Sequence, residues 1–142
     1  MPELPKKIHL SIVTPDRLLF EGDVDGVTVP GLDGYLGILP GHAPLLSELR
    51  VGMISYPQEA QVSFLYCSWG FIEVLPHRVS VLTEVAERPE EIDIEQARND
   101  KQRAEQLLRS KDPHTDYQAA RVLWEQSWNR LEVAQKAVIR DS

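Results

Sequence analysis

One stretch, residues 30–46 (PGLDGYLGILPGHAPLL), constrains the fold of this 142-residue chain more than any other. Its four glycines and three prolines alternate with leucine, isoleucine and tyrosine. Proline interrupts a helix, and disordered linkers carry few large apolar residues. The stretch therefore predicts a chain that turns repeatedly while it packs on a core. The predicted turns lie at Pro30-Gly31, Asp33-Gly34 and Pro40-Gly41, with one short strand over 35–39.

The segments on either side of this stretch alternate apolar and polar residues, which is typical of half-buried strands. Predicted strands cover 8–14, 18–20, 27–29, 35–39, 47–51, 53–56, 61–69, 71–75 and 79–85. The short connection through Pro76-His77 predicts a hairpin between the last two. About eight to ten short strands in this length predict a β-sandwich or a flattened barrel.

The apolar period changes from two to 3.6 residues after residue 89, which predicts helices. Asp93 with Gln96, and Thr115 with Gln118, are typical of helix N-termini, and Pro113 stops the first helix. The two predicted apolar stripes contain Ile94, Ala97, Lys101, Ala104 and Leu108, then Tyr117, Ala120, Trp124, Ser127, Trp128, Leu131, Ala134 and Val138. We predict two domains, a β-sandwich over 1–88 and an antiparallel α-helical hairpin over 89–142.

The composition argues against several classes of partner. The net charge of −7 argues against nucleic acid and anionic lipid. No apolar run approaches the length of about 18 residues that a membrane span needs, so direct membrane insertion is not expected. The first ten residues, MPELPKKIHL, lack an apolar signal core, so export is not expected either. The single cysteine is compatible with a reducing compartment.

The sequence predicts a non-enzyme, with no catalytic residue, metal or resident cofactor. The four histidines are scattered and lack metal-ligand spacing. We expect His42 to make a local hydrogen bond that stabilises its turn, and Cys67 to lie in the core rather than act as a nucleophile. The glycine-rich stretch lacks the lysine and the following helix of a phosphate loop. A small β-barrel enzyme would need convergent histidines or carboxylates, which these spacings do not offer.

Three segments together carry a resemblance to a known family: 12–16 (IVTPD), 30–46 with its GILPGHAPLL string, and 70–74 (GFIEV). The chain resembles, over nearly its whole length, the epsilon subunit of bacterial and chloroplast F-type ATP synthases. The resemblance implies a non-catalytic rotor subunit of the central stalk, which couples ion translocation through the c-ring to ATP synthesis. It also implies a place on the cytoplasmic face of the bacterial inner membrane, or on the stromal face of the thylakoid.

The resemblance implies partners for each domain. The sandwich would hold the gamma subunit and touch the ring of c subunits through Asp33, Gly34, Tyr35 and His42, although some relatives carry an acidic residue where this chain has Tyr35. The hairpin would inhibit ATP hydrolysis by contacting the alpha and beta subunits, with Arg98, Lys101, Arg121 and Arg130 as candidate contacts. The alternative for these basic residues is an ordinary solvated helix face with pairs such as Glu105–Arg109.

Some relatives bind ATP in the tail through the pattern (I/L)-D-x-x-R-A. Ile92, Asp93 and Ala97 match this pattern, whereas Gln96 replaces the arginine. A neutral amide lacks the charge that phosphate favours. Two alternatives therefore stay open beside the rotor subunit: an ATP-sensing regulator that acts through the tail, and a free-standing β-sandwich adaptor.

Overall fold

The computed structural model describes residues 4–140, with side chains as far as residue 137, so the Val138 side chain of the predicted stripe lies outside the described residues. The chain divides into two compact units, Met1–Ala86 and Glu87–Ser142. The strands are β1 Ile8–Val13, β2 Leu18–Val24, β3 Val27–Gly31, β4 Gly34–Ile38, β5 Leu45–Leu49, β6 Gly52–Gln58, β7 Gln61–Cys67, β8 Gly70–Leu75, β9 Arg78–Thr83 and β10 Ala86–Glu87. A 3-10 turn, Pro89–Glu91, precedes α1 Ile94–Leu108 and α2 Tyr117–Arg140. The predicted sandwich followed by a helical hairpin is confirmed.

The strands form one folded sheet in the order β10-β7-β6-β3-β5-β8-β9-β1-β2, with β4 paired to β3. The β1–β9 pair is parallel, and the other long ladders are antiparallel. Phe20 on β2 and Tyr56 on β6 are far apart in this order, yet their ring centroids lie 4.5 Å apart. The sheet therefore closes over itself, and its inward residues share one core.

Gly70, the first residue of β8, lies where the neighbouring strand β9 approaches closely. A Cβ at this position would lie 1.8 Å from the carbonyl oxygen of Leu82 on β9. Glycine is thus required here because the neighbouring backbone occupies the space of a side chain. The same corner is held by Thr83, whose buried hydroxyl lies within donating distance of the carbonyl oxygens of Ser68 and Val85, at 3.2 and 3.0 Å.

The ends of the two helices follow local hydrogen bonding. The Asp93 carboxylate accepts the backbone N–H of Gln96 at 3.0 Å, as predicted. The predicted cap of α2 is wrong by one residue, because Asp116, not Thr115, accepts the N–H of Ala119 at 3.0 Å. The charged Asp116 carboxylate takes the capping position, and the neighbouring Thr115 hydroxyl donates to Ser110 instead.

Among the described residues, small ones occupy all the fully buried positions of both helices except Val133. Ala97 and Ala104 on α1, and Ala120, Ser127 and Ala134 on α2, recur every seven residues and are at most 3% exposed. Large members of the predicted stripes are not buried to the same degree: Ile94, Leu108 and Trp128 are 37%, 37% and 39% exposed. Because small side chains let helices approach closely, the hairpin closes through backbone proximity more than through large apolar groups.

Candidate functional site

The turn between β3 and β4 presents three of the four predicted c-ring residues. Asp33, Gly34 and Tyr35 are exposed, and Gly34 has a φ of 127°, which favours glycine. The Tyr35 hydroxyl also accepts the backbone N–H of Met53 on β6 at 3.1 Å. Tyr35 therefore braces the turn against the sheet while 58% of its surface stays accessible.

His42, the fourth predicted c-ring residue, does not share this turn. It follows the other end of β4, where Ile38 pairs with Val27, whereas Gly34 pairs with Gly31. A five-residue strand spans about 17 Å. The four residues predicted to contact the c-ring therefore lie on two separate surfaces rather than on one loop. The His42 imidazole bonds the carbonyl of Ala43 at 2.7 Å through Nδ1. The predicted local hydrogen bond is confirmed.

A row of exposed apolar residues crosses the outer face of the sheet. Phe71 on β8 pairs with Leu82 on β9, Leu82 lies beside Val13 on β1, and Val13 pairs with Leu18 on β2. Leu18, Phe71 and Leu82, here named the outer-sheet patch, are 54%, 55% and 53% exposed. Sequence reasoning missed this patch, although one signal could have indicated it. Phe71 is an aromatic residue on the polar face of β8, where it alternates with buried Ile72.

A cleft of about 370 Å³ adjoins the outer-sheet patch. Leu32, Trp69 and Phe71 supply apolar walls, and Glu48, Arg50 and Glu84 supply charged ones. Leu32 directly precedes the turn residue Asp33, and its carbonyl accepts a 3.4 Å hydrogen bond from Arg50. The β3–β4 turn and the outer-sheet patch therefore form one continuous edge of the sandwich.

The four basic candidates of the hairpin differ in their surroundings. Arg98 and Arg121 are exposed and make no ion pair with the residues that the structure describes. Lys101 lies 3.9 Å from Glu105, which also pairs with Arg109 at 3.5 Å, as predicted. Arg130 is mostly buried and makes two hydrogen bonds to Glu87. Half of the predicted basic set is thus available without breaking an ion pair.

The three candidate ATP residues have structural roles. Ile92 is buried, Asp93 caps α1, and Ala97 is fully buried. An open groove of about 860 Å³ lies at the loop end of the hairpin, with Arg103, Gln118 and Gln126 among its polar walls, and none of the three lines it. Neither the N-cap carboxylate nor the two apolar side chains offers a donor to phosphate.

The single cysteine is buried in the core. Cys67 is fully buried, as predicted, and burial raises the pKa of its thiol to about 12. Such a thiol stays protonated and unreactive at neutral pH. Within residues 4–140, no three His, Cys, Asp or Glu side chains are arranged to hold a metal ion. No helix in that range is long and apolar enough to cross a membrane.

Two family profiles together match the chain from residue 7 to residue 135. Residues 7–89 match the ATP synthase delta/epsilon chain β-sandwich domain, and residues 90–135 match the delta/epsilon chain long α-helix domain. The ATP synthase epsilon chain of Halalkalibacterium halodurans is 43% identical over 89% of this chain and 96% of its own length. The chain belongs to the ATP synthase epsilon chain family.

Other members of the epsilon chain family are similarly close. The Desulforamulus reducens epsilon chain is 42% identical over 93% of this chain and all of its own length. The Koribacter versatilis epsilon chain is 50% identical over 74% of each chain. Epsilon chains are non-catalytic subunits of F-type ATP synthase, so the protein serves ATP synthesis and ion transport as part of that complex.

Solved structures of other ATP synthases support the epsilon-chain fold. A chain in the cryo-EM structure of the Euglena gracilis mitochondrial ATP synthase OSCP/F1/c-ring has a TM-score of 0.80. The match covers 97% of this chain and 84% of the Euglena gracilis chain, at 21% sequence identity. A chain of the Tetrahymena thermophila mitochondrial central stalk and c-ring has a TM-score of 0.58 at 14% identity. At these identities the likeness concerns the fold alone.

Proposed function

We propose that the sandwich fixes this epsilon chain to the gamma subunit through the outer-sheet patch, and that the hairpin restrains ATP hydrolysis. The exposed row of Leu18, Phe71 and Leu82 is the observation that carries the anchoring role. Aromatic and apolar groups on a rigid face are typical centres of protein interfaces. At such a centre one or two buried side chains supply most of the affinity.

We further propose that the c-ring contact is the β3–β4 turn, Asp33-Gly34-Tyr35, without His42. Continuity between this turn and the outer-sheet patch through the Leu32 cleft supports a single edge that serves two partners. The polar turn with its carboxylate suits the polar loops of the c subunits. These contacts hold the subunit peripherally on the cytoplasmic face of a coupling membrane, or on the stromal face of a thylakoid.

For the hairpin, we propose a contact with the alpha and beta subunits through its basic residues. Arg98 and Arg121 are exposed and unpaired among the described residues, so they can meet a partner's carboxylates without first losing an ion pair. Charge complementarity would guide such docking. We do not propose nucleotide sensing, because the side chains of Ile92 and Ala97 are buried and the Asp93 carboxylate caps α1.

The test is ATP hydrolysis by the alpha–beta–gamma complex with the full chain and with a version that ends at Pro89. We expect both to bind gamma and the full chain alone to slow hydrolysis. Phe71→Glu should abolish binding of both, because a charge would be desolvated at the centre of the interface. The exposed Val62→Glu on β7, outside the patch, is the matched control and should bind normally.

Three results would contradict the proposal. If Phe71→Glu binds gamma as the wild type does, the outer-sheet patch is not the anchor. If the truncated form inhibits as well as the full chain, the hairpin has no restraining role. If neither form binds gamma but the chain forms homodimers, a free-standing adaptor explains the molecule better.

A further inference from the structure

The ion pair between Glu87 and Arg130 differs from the others in the helical unit. Arg130 Nε lies 2.8 Å from Glu87 Oε1, and Nη2 lies 3.1 Å from Oε2. The two side chains are 15% and 21% exposed. By contrast, Lys101 and Arg109 approach Glu105 at 3.9 and 3.5 Å in more exposed settings. A two-point, largely buried pair has a defined geometry that exposed pairs lack.

Both partners are fixed by their own surroundings. Glu87 is followed by a tight turn, in which the Glu91 carboxylate accepts the N–H of Arg88 at 2.7 Å. Pro89, in the same turn, is buried. Arg130 lies on α2 between Ser127 and Ala134, which are both almost fully buried. The pair thus joins two ordered segments that are 43 residues apart in sequence.

The guanidinium of Arg130 presents two forks, Nε with Nη2 and Nη1 with Nη2, and each can meet a carboxylate through two parallel N–H groups. Glu87 occupies the fork that contains Nε and Nη2. We propose that Glu87 masks Arg130: the chain's own carboxylate fills this fork and balances the positive charge, so Arg130 contributes to inhibition only after this pair opens. This inference rests on the proposed inhibitory role of the hairpin and defines its regulation.

The closed Glu87–Arg130 pair should lower the hairpin's affinity for its partner, relative to a hairpin in which Arg130 is free. When the competent state is only partly populated, the apparent affinity falls by that fraction. Removing the Glu87 charge should release Arg130 and strengthen inhibition. We expect about a three- to fivefold lower concentration for half-maximal inhibition, the upper part of the range that opening such an ion pair corresponds to.

The experiment measures inhibition of ATP hydrolysis by the alpha–beta–gamma complex with full-length variants. Glu87→Gln keeps the side-chain shape and removes the charge. Glu132→Gln, on α2 and without an ion pair among the described residues, makes the same change in net charge and is the matched control. We expect Glu87→Gln to inhibit more strongly and Glu132→Gln to remain within about twofold of wild type.

Further variants separate masking from a general effect on folding. Arg130→Gln should weaken inhibition, and Glu87→Gln/Arg130→Gln should behave like Arg130→Gln alone. The exchanged pair Glu87→Arg/Arg130→Glu keeps an ion pair in the hairpin but removes the positive charge at position 130, so it should also inhibit weakly. In NMR spectra, hydrogen exchange at Arg130 Nε–H should be slow in wild type and faster in Glu87→Gln.

Masking is overturned if wild type inhibits while Glu87→Gln inhibits equally or less with its helices intact. It is also overturned if Arg130→Gln inhibits like wild type, or if exchange at Arg130 Nε–H is unchanged by Glu87→Gln. If Glu87→Gln loses its helices, the exchanged pair Glu87→Arg/Arg130→Glu decides the question. Stronger inhibition by the exchanged pair than by wild type would overturn masking, whereas weak inhibition by a folded exchanged pair would support masking. A wild-type chain that binds gamma without inhibiting overturns the proposed function itself, which is a different result.

Discussion

The sandwich and the hairpin are stabilised in different ways. Of the twelve largest fully buried side chains among the described residues, all except Val133 belong to the sandwich. The hairpin instead buries alanines and a serine, and leaves Ile94, Leu108 and Trp128 more than a third exposed. Since stability scales with buried apolar area, we expect the sandwich to be the rigid unit and the hairpin the one that opens first. The proposed division of labour, with an anchoring sandwich and a regulatory hairpin, is consistent with this asymmetry.

The largest expected effect lies at the β8–β9 corner of the sandwich. Gly70→Ala places a Cβ against the Leu82 carbonyl, and no side-chain rotation can relieve a clash with backbone. We expect a loss of about 4 kcal/mol or more in the free energy of unfolding, or failure to fold. Gly37→Ala is the matched control, because its Cβ would meet nothing within 4 Å.

Chemical unfolding, monitored by hydrogen exchange, reports the stability of each unit separately in this test. We expect Gly70→Ala to lose protection throughout the sandwich, while Gly37→Ala changes stability by less than about 1 kcal/mol. Equal, small effects at both positions would show that the corner is not rigid.

The next effect tests the close packing of the hairpin. Ala104→Leu inserts three carbons at a fully buried position, which should separate the helices and cost about 1–3 kcal/mol. Gln102→Leu places the same side chain at an exposed position of α1 and should change little. Hydrogen exchange of α1 and α2 measures both variants. If Ala104→Leu stabilises the hairpin, the helices have spare room and the contrast with the sandwich is smaller than we infer.

The pH dependence of stability offers a smaller test, confined to the sandwich. The pKa of the Cys67 thiol is raised by burial to about 12, above an unfolded value near 9.0. A raised folded pKa stabilises the protein fully below pH 9, and this contribution is lost as the pH rises toward 12. We expect the wild type to lose about 1.5 kcal/mol more than Cys67→Ala between pH 8 and pH 10. Parallel pH profiles of the two proteins, measured by urea unfolding, would contradict the buried thiol.

The smallest effect concerns the start of α1. Asp93→Ala removes the acceptor of the Gln96 N–H and should cost the hairpin about 1 kcal/mol. Asp93→Asn retains a capping oxygen and should recover most of that loss. Helix content followed through thermal unfolding compares the two variants. If they are equally destabilised, charge rather than capping explains the role of Asp93.

Local chemistry let the sequence predict much of this protein. Alternation with period two predicted the strands, and the pairs Asp33-Gly34 and Pro40-Gly41 predicted two of the places where they reverse. The turn predicted at Pro30-Gly31 is wrong, because both residues pair within β3 and the chain reverses at residues 32–33. Asp93 was identified as a cap because its partner lies three residues away. The family likewise follows from contiguous strings such as GILPGHAPLL. Each of these signals depends on neighbours in sequence, so no distant contact is needed to read it.

Tertiary structure decided what depends on residues far apart in sequence. It separated His42 from Asp33, because β4 carries them to opposite ends. Strand register alone brought Leu18, Phe71 and Leu82 into one row. It also paired Arg130 with Glu87 across 43 residues, which no periodic pattern records. The period of the apolar residues identifies which face of a helix or strand points inward. Which element packs against that face depends on how the whole chain folds.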